Sequence, residues 1–284
     1  MTGMRRAPRP TATGSVPMPA RRPSDQTSSP PRASATPTDT TPPQRGPDER
    51  NEMTQTQQSP ADGAPRPETI DVELWLDPVC PWSRIGLHNL LQAAHEVART
   101  TGAPTVRIGL RSYQLDPDAE HDERPLRELV AERAGVDPEI ADREIARTAQ
   151  AMRDAGLDER LADARRANTQ AAHELLHAAR TQHAEQRVAE GLFDTHFVQG
   201  ADLAAEDVLL DVARAAGMDV EATALELRTH AHAGAVAADE RRAAELGITA
   251  VPFCLIDGRF GVSGAQPVAE FRDVLTGIAT GVYS

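Results

Sequence analysis

Two cysteines, Cys80 and Cys254, carry the only thiols of this 284-residue chain. Cys80 stands where a thiol can do chemistry. It lies within residues 71–86, DVELWLDPVCPWSRIG, between Pro78 and Pro81. Val72, Leu74 and Leu76 alternate with Asp71, Glu73 and Asp77, Trp75 excepted, which predicts a short inner strand. Pro78 ends that strand, and Pro81 suits the first position of a helix. Leu87, Leu90, Leu91, Ala94 and Val97 then follow at helical spacing. Cys80 therefore falls at a strand-to-helix joint. A helix N-terminus gathers unpaired N–H groups and a partial positive charge. A thiolate there is stabilised, and its pKa can fall from about 8.5 to roughly 3.5–7.5. This is the setting of a nucleophile. Ser83, one turn further, is placed to hydrogen-bond the thiolate, but it offers no thiol with which to close a disulfide.

The elements that position this joint follow in order. Residues 104–114 predict a second strand with Val106, Ile108 and Leu110 on one face. A long helical block comes next, about residues 117–247. Pro125 and Pro138 open helices that Gly135 and Gly156 close, the usual Pro-start, Gly-stop asymmetry. Thr169 is the expected cap of a helix reading TQAAHELLHAARTQHAEQ; further helices end at Gly217 and Gly247. Strand pattern returns at Phe253, Cys254, Leu255 and Ile256, and Asp257-Gly258 signals a tight turn into RFGVSG. A final helix covers about 267–280. No internal repeat is present.

The histidines invite a metal reading. His173-Glu174-Leu175-Leu176-His177 matches the H-E-x-x-H zinc pattern, and His183 falls at the spacing of a third ligand. That pattern needs a glycine to turn the chain back, and Arg180 stands there. On a continuing helix His183 would lie about 9 Å beyond His177 on another face. The expectation is no metal.

Residues 1–67 hold 14 of the 22 prolines and almost no apolar clusters, which predicts a disordered leader. It carries 9 arginines against 6 acidic residues, while residues 68–284 carry 21 against 37. So acidic a body argues against a broad nucleic-acid-binding face. Neither Arg5-Arg6 nor Arg21-Arg22 precedes an apolar run, and no run is long enough to span a membrane. Met53 is an alternative start. Two distant cysteines do not make a disulfide-stapled secreted fold, so a cytoplasmic setting with reduced thiols is expected.

Cys80-Pro81-Trp82-Ser83 resembles the Cys-Pro-Trp-Cys active site of the DsbA-family thiol–disulfide oxidoreductases, the FrnE-like branch in particular, with Ser83 in place of the second cysteine. Residues 167–179, 191–203, 248–258 and 260–267 are similar to further segments of that branch, in the same order. The resemblance implies a thioredoxin-like α/β fold, one domain over 68–284, with the all-helical block inserted between its two halves. It implies a cis bond before Pro252, and a Val251 backbone that pairs with the substrate chain. The site set is then Cys80, Ser83 and Pro252, with Pro81, Trp82 and Val251 at the substrate. Pro81 and Trp82 would tune the thiol and supply an apolar contact, although Trp82 could equally pack over the joint. Ala250 departs mildly from the glycine expected there. The function implied is thiol–disulfide exchange through one cysteine, on protein or small-molecule disulfides. It needs no bound cofactor, and a low-molecular-weight thiol serves as co-substrate. Two alternatives stand beside it. One is an enzyme like the kappa-class glutathione transferases and hydroxychromene carboxylate isomerases, which have serine where this chain has Cys80. The other is a redox-silent binding relative.

Overall fold

The computed structural model describes residues 67–120, 122 and 124–283. The expected leader lies outside them, apart from Pro67. Strand β1 (Thr69–Leu76) leads through helix α1 (Pro81–Ala98) to strand β2 (Thr105–Ser112). β1 and β2 are parallel, Thr69 opposite Thr105 through Leu76 opposite Ser112; a parallel pair requires such a crossover. Helices α2 (Leu126–Ala134), α3 (Pro138–Asp154), α4 (Gln170–Thr181), α5 (Glu185–Phe197), α6 (Glu206–Ala215), α7 (Val220–Arg228) and α8 (Ala233–Glu245) follow. The chain returns in β3 (Phe253–Ile256) and β4 (Phe260–Ser263) and ends in α9 (Val268–Ala279). The sheet order is β2-β1-β3-β4, with β3 antiparallel to β1 and to β4. This is the thioredoxin-like arrangement with a helical insertion between β2 and β3, and β1 is an inner strand as its pattern predicts.

Alternation along the strands sorts two apolar clusters. Ile70, Val72, Leu74 and Leu76 of β1 join Cys254 and Ile256 of β3 in the main core, with α1, α9 and much of the insertion. Trp75 points the other way, with Leu255, Val251, Ala243, Ile248 and Cys80. Trp75 opposes Phe253 in the register, and the two rings meet edge-to-face at 6.3 Å. The Trp75 indole N–H donates to the Asp239 carbonyl at 3.1 Å, fixing α8 on this face. Arg111 and Arg242 both reach Glu73, and Arg111 also reaches Asp239. The polar positions of β1 and β2 thus clamp α8. Between β3 and β4, Asp257 (φ 50°) and Gly258 (φ 66°) make the predicted tight turn.

The helical block departs from its sequence pattern in three places. The helix expected from Thr169 through Gln186 stops at Thr181, because His183 takes a left-handed φ of 54° and α5 starts afresh. Thr169 occupies the cap position of α4 without a capping bond from its side chain; the Asn168 carboxamide oxygen accepts the Gln170 N–H instead, at 3.0 Å. Helix α7 was not anticipated, although Asp219 caps it by accepting from the Ala222 N–H at 3.0 Å.

Candidate active site

The joint between β1 and α1 is built by local hydrogen bonds. The Cys80 N–H donates to the Asp77 carbonyl at 2.9 Å, and the Cys80 carbonyl accepts the first helical bond from Arg84 at 3.2 Å. Cys80 is the N-cap residue, with extended φ and ψ, and Pro81 is the first helical residue. The Ser83 hydroxyl and the Ser83 and Trp82 N–H groups all bear on the sulfur and lower its pKa. The Ser83 hydroxyl also accepts a long bond from the Asp77 N–H, at 3.4 Å.

The far half of the chain closes over the thiol. The Val251–Pro252 bond is cis, as expected. The Cys80 thiol donates to the Val251 carbonyl at 3.6 Å. In the turn after β4, the Gly264 N–H donates to the Pro252 carbonyl at 2.9 Å and the Asn89 side chain donates to the Gln266 carbonyl at 2.9 Å. That turn therefore ties α1 to the Pro252 loop. Gly86 makes the approach possible: a Cβ there would lie 2.7 Å from Pro252 Cγ. A proline ring cannot swing aside, so overpacking (about 1–3 kcal/mol) should outweigh the gain of about 1 kcal/mol in helix propensity. Gly86→Ala is accordingly expected to destabilise the fold by about 1–2 kcal/mol in denaturant unfolding; an unchanged or raised midpoint would contradict the contact.

The six predicted residues are thus brought together, with one correction. The helix terminus alone predicts a lowered Cys80 pKa. Cys80 is only 5% exposed, and burial pushes its thiol up in this closed arrangement, against the opposing pull of Ser83 and Trp82. Trp82 is the exposed member of the set, at 41%. Cys254 belongs to the other apolar cluster, is free, and has its thiol pushed up to about 12 by burial.

The sequence reading missed Asp77, which it took for a polar alternate of β1. Asp77 is fully buried, accepts the Leu115 N–H at 2.7 Å and the Val79 N–H at 3.3 Å, and burial raises its pKa to about 7. His173 of α4 is buried beside it, with Nε2 3.8 Å from Asp77 Oδ1 and neither ring nitrogen in a close hydrogen bond. Burial holds His173 neutral, its pKa near 3. The other members of the H-E-x-x-H pattern have separate partners. His177 Nε2 lies 3.2 Å from both the Ser112 hydroxyl and Asp239, and Glu174 meets His230 and Gln170. Among the described residues no group of three metal-capable side chains converges. An acid directly before a proline, three positions ahead of the candidate nucleophile, was the available signal for Asp77. The isolated Gly86 within a helical pattern was the signal for the close approach.

Comparison with known proteins agrees with this geometry. A family model described as a DSBA-like thioredoxin domain matches residues 71–276. The chain is 31% identical to a probable DsbA oxidoreductase from Streptomyces coelicolor; the match covers 76% of this chain and 92% of that one, with a TM-score of 0.69. A 2-hydroxychromene-2-carboxylate isomerase is similar in fold, at 14% identity and a TM-score of 0.53, over 75% of this chain and all of that one. No curated protein matches the chain at a significant level.

Proposed function

Since this chain belongs to the DSBA-like thioredoxin domain family of thiol–disulfide oxidoreductases, we propose that it catalyses disulfide exchange through a single nucleophile, Cys80. The observation that carries this is the pairing of Cys80 at the cap of α1 with Ser83 one turn on, while Cys254 sits in a separate cluster. The Cys80 thiolate attacks a disulfide sulfur, the substrate's S–S bond breaks, and one half departs as a thiolate while the other stays on Cys80. In a dithiol enzyme the second cysteine would now release it. Ser83 cannot, so an external low-molecular-weight thiol completes the cycle.

Each neighbour has a role in this reading. The Ser83 hydroxyl and the N–H groups of α1 stabilise the thiolate as it forms. Pro81 sets the helix start. Exposed Trp82 supplies an apolar surface to the substrate, and the backbone of Val251, held by Pro252, pairs with the substrate chain. Reduction or isomerisation of mixed disulfides is the expected outcome, in a reducing cytoplasmic setting. No described helix is long and apolar enough to cross a membrane.

A redox-silent binding role is the second reading, and the burial of Cys80 favours it. A disulfide-reductase assay with insulin separates the two. Turnover above the thiol-only rate is expected when a small thiol is supplied, and at most one equivalent of exchange without it. No acceleration over the thiol alone would leave only binding.

A further inference from the structure

Helix α1 carries Cys80 at its N-cap and turns one stripe toward the far half of the chain. Ser83, Gly86 and Asn89 follow at three-residue spacing, so they share a face. Each meets a different neighbour. Ser83 bears on the sulfur, Gly86 lies against Pro252, and the Asn89 side chain donates to the Gln266 carbonyl at 2.9 Å. Asn89 is buried and stands about 13.5 Å along the helix axis from Cys80, so it does not reach the sulfur itself.

From Asn89 a chain of hydrogen bonds runs back to the thiol. The Gln266 N–H donates to the Gly264 carbonyl at 3.0 Å, and the Gly264 N–H donates to the Pro252 carbonyl at 2.9 Å. Gly264 takes a left-handed φ of 81° to make this turn. Val251, whose carbonyl accepts from the thiol, directly precedes Pro252. Strand pairing holds this loop on one side only: Phe253 lies opposite Trp75 and Ser263, whereas Thr249 and Ala250 are exposed. The direct tie between Cys80 and Val251 is lost when the site works. It is an S–H donating to a carbonyl at 3.6 Å, and a thiolate or a sulfur in a mixed disulfide has no proton to donate. The ties from α1 that survive are the Gly86 contact with Pro252 and the bond from Asn89.

We propose that Asn89 is a positioning residue: through the turn at Gly264 it keeps the Val251 backbone set to pair with an extended peptide disulfide while Cys80 reacts. The inference rests on Cys80 as nucleophile and on Val251 as the strand that the substrate chain joins. It adds the residue that gives the site its preference for extended chains over small disulfides. A small disulfide has no backbone to pair, so its rate does not depend on Asn89.

The test uses the full chain, well below its thermal midpoint, and three probes. One is a short peptide whose single cysteine is disulfide-linked to 2-mercaptoethanol. The second is the same peptide N-methylated at the residues flanking that cysteine, and the third is 2-hydroxyethyl disulfide. Loss of the free Cys80 thiol, followed by intact mass, gives a half-saturating concentration and a limiting rate. The wild type is expected to saturate with the first peptide at a lower concentration than with its N-methylated form. In Asn89→Ala the half-saturating concentration of the first peptide should rise about five- to tenfold, the worth of one hydrogen bond, with its limiting rate and the rate with 2-hydroxyethyl disulfide unchanged. Asn89→Asp keeps the size of the side chain and lacks the donor, so it should match Asn89→Ala. In the free protein, the Gly264 N–H should exchange its hydrogen faster in both variants. A bond that only stabilises the fold would lower the unfolding midpoint and leave half-saturation by the peptide as in the wild type; that result in either variant would overturn the inference while leaving Cys80 and Val251 in their roles. Equal handling of the two peptides by the wild type would remove the pairing with Val251, and this inference with it. Inertness of Cys80 to all three probes would remove the nucleophile as well.

Discussion

Replacing Cys80 with serine is expected to lower thiol-dependent disulfide exchange by roughly three orders of magnitude, to the uncatalysed background. A hydroxyl at this position keeps the shape of the joint. The backbone bonds that build it, from the Cys80 N–H to Asp77 and from Arg84 to the Cys80 carbonyl, do not involve the sulfur. The thermal midpoint should therefore stay close to that of the wild type while activity disappears. Cys254→Ser should do the opposite. Its side chain is buried in the main core, opposite Leu74 in the register. A hydroxyl left there without a partner costs about 1–3 kcal/mol, with little change in rate per folded molecule. Residual activity in Cys80→Ser comparable to the wild type would remove Cys80 from the mechanism.

The second large effect is expected at Asp77, through the dependence of stability on pH. Burial raises the folded-state pKa of Asp77 from 3.8 to about 7, so between those values the folded protein holds a proton that the unfolded chain has lost. This makes stability fall as pH rises through that window. His173 acts in the reverse sense. Its pKa is lowered from 6.5 to about 3, so below 6.5 the unfolded chain takes a proton that the folded protein refuses, and stability falls as pH falls. In the wild type the two slopes cancel between about pH 4 and 6.5, because the pair binds the same number of protons in both states. Asp77→Asn removes one slope and leaves the other. Its stability should drop by about 2 kcal/mol between pH 7 and pH 5, while the wild type stays nearly flat. Urea unfolding at the two pH values reads this directly; parallel behaviour of the two proteins would mean that Asp77 and His173 are not coupled in this way. The Asp77 charge also raises the Cys80 pKa, so the variant should form its thiolate more readily above pH 7.

What was legible in the sequence was local. The alternation of β1, Pro81 at the start of α1, and Asp257-Gly258 each state a backbone preference within a few residues, and the structure keeps all three. Around the thiol, Cys80, Pro81 and Ser83 were legible from the same local pattern, whereas Val251 and Pro252 were legible only through resemblance, because they lie about 170 positions from Cys80 and no local signal joins them. What could not be read was burial imposed from a distance. The helix terminus favours a thiolate on Cys80, but the Val251 loop covers the sulfur and pushes the pKa the other way. Asp77 looks solvent-facing in an alternating strand until the residues after β2 and the start of α4 enclose it. The break at His183 involves neither glycine nor proline at the residue that turns, so helical periodicity ran through it.

The most direct test of a one-cysteine mechanism is the mass of the protein after exposure to 2-hydroxyethyl disulfide, a small neutral probe. The wild type is expected to carry one stable adduct, mapped to Cys80, with Cys254 unmodified. In Ser83→Cys the adduct should be expelled by the new thiol, leaving an internal disulfide lighter than the reduced protein by two hydrogens. A Cys80–Cys254 disulfide in the wild type, forming as fast as the adduct decays, would contradict the account and make Cys254 the resolving residue.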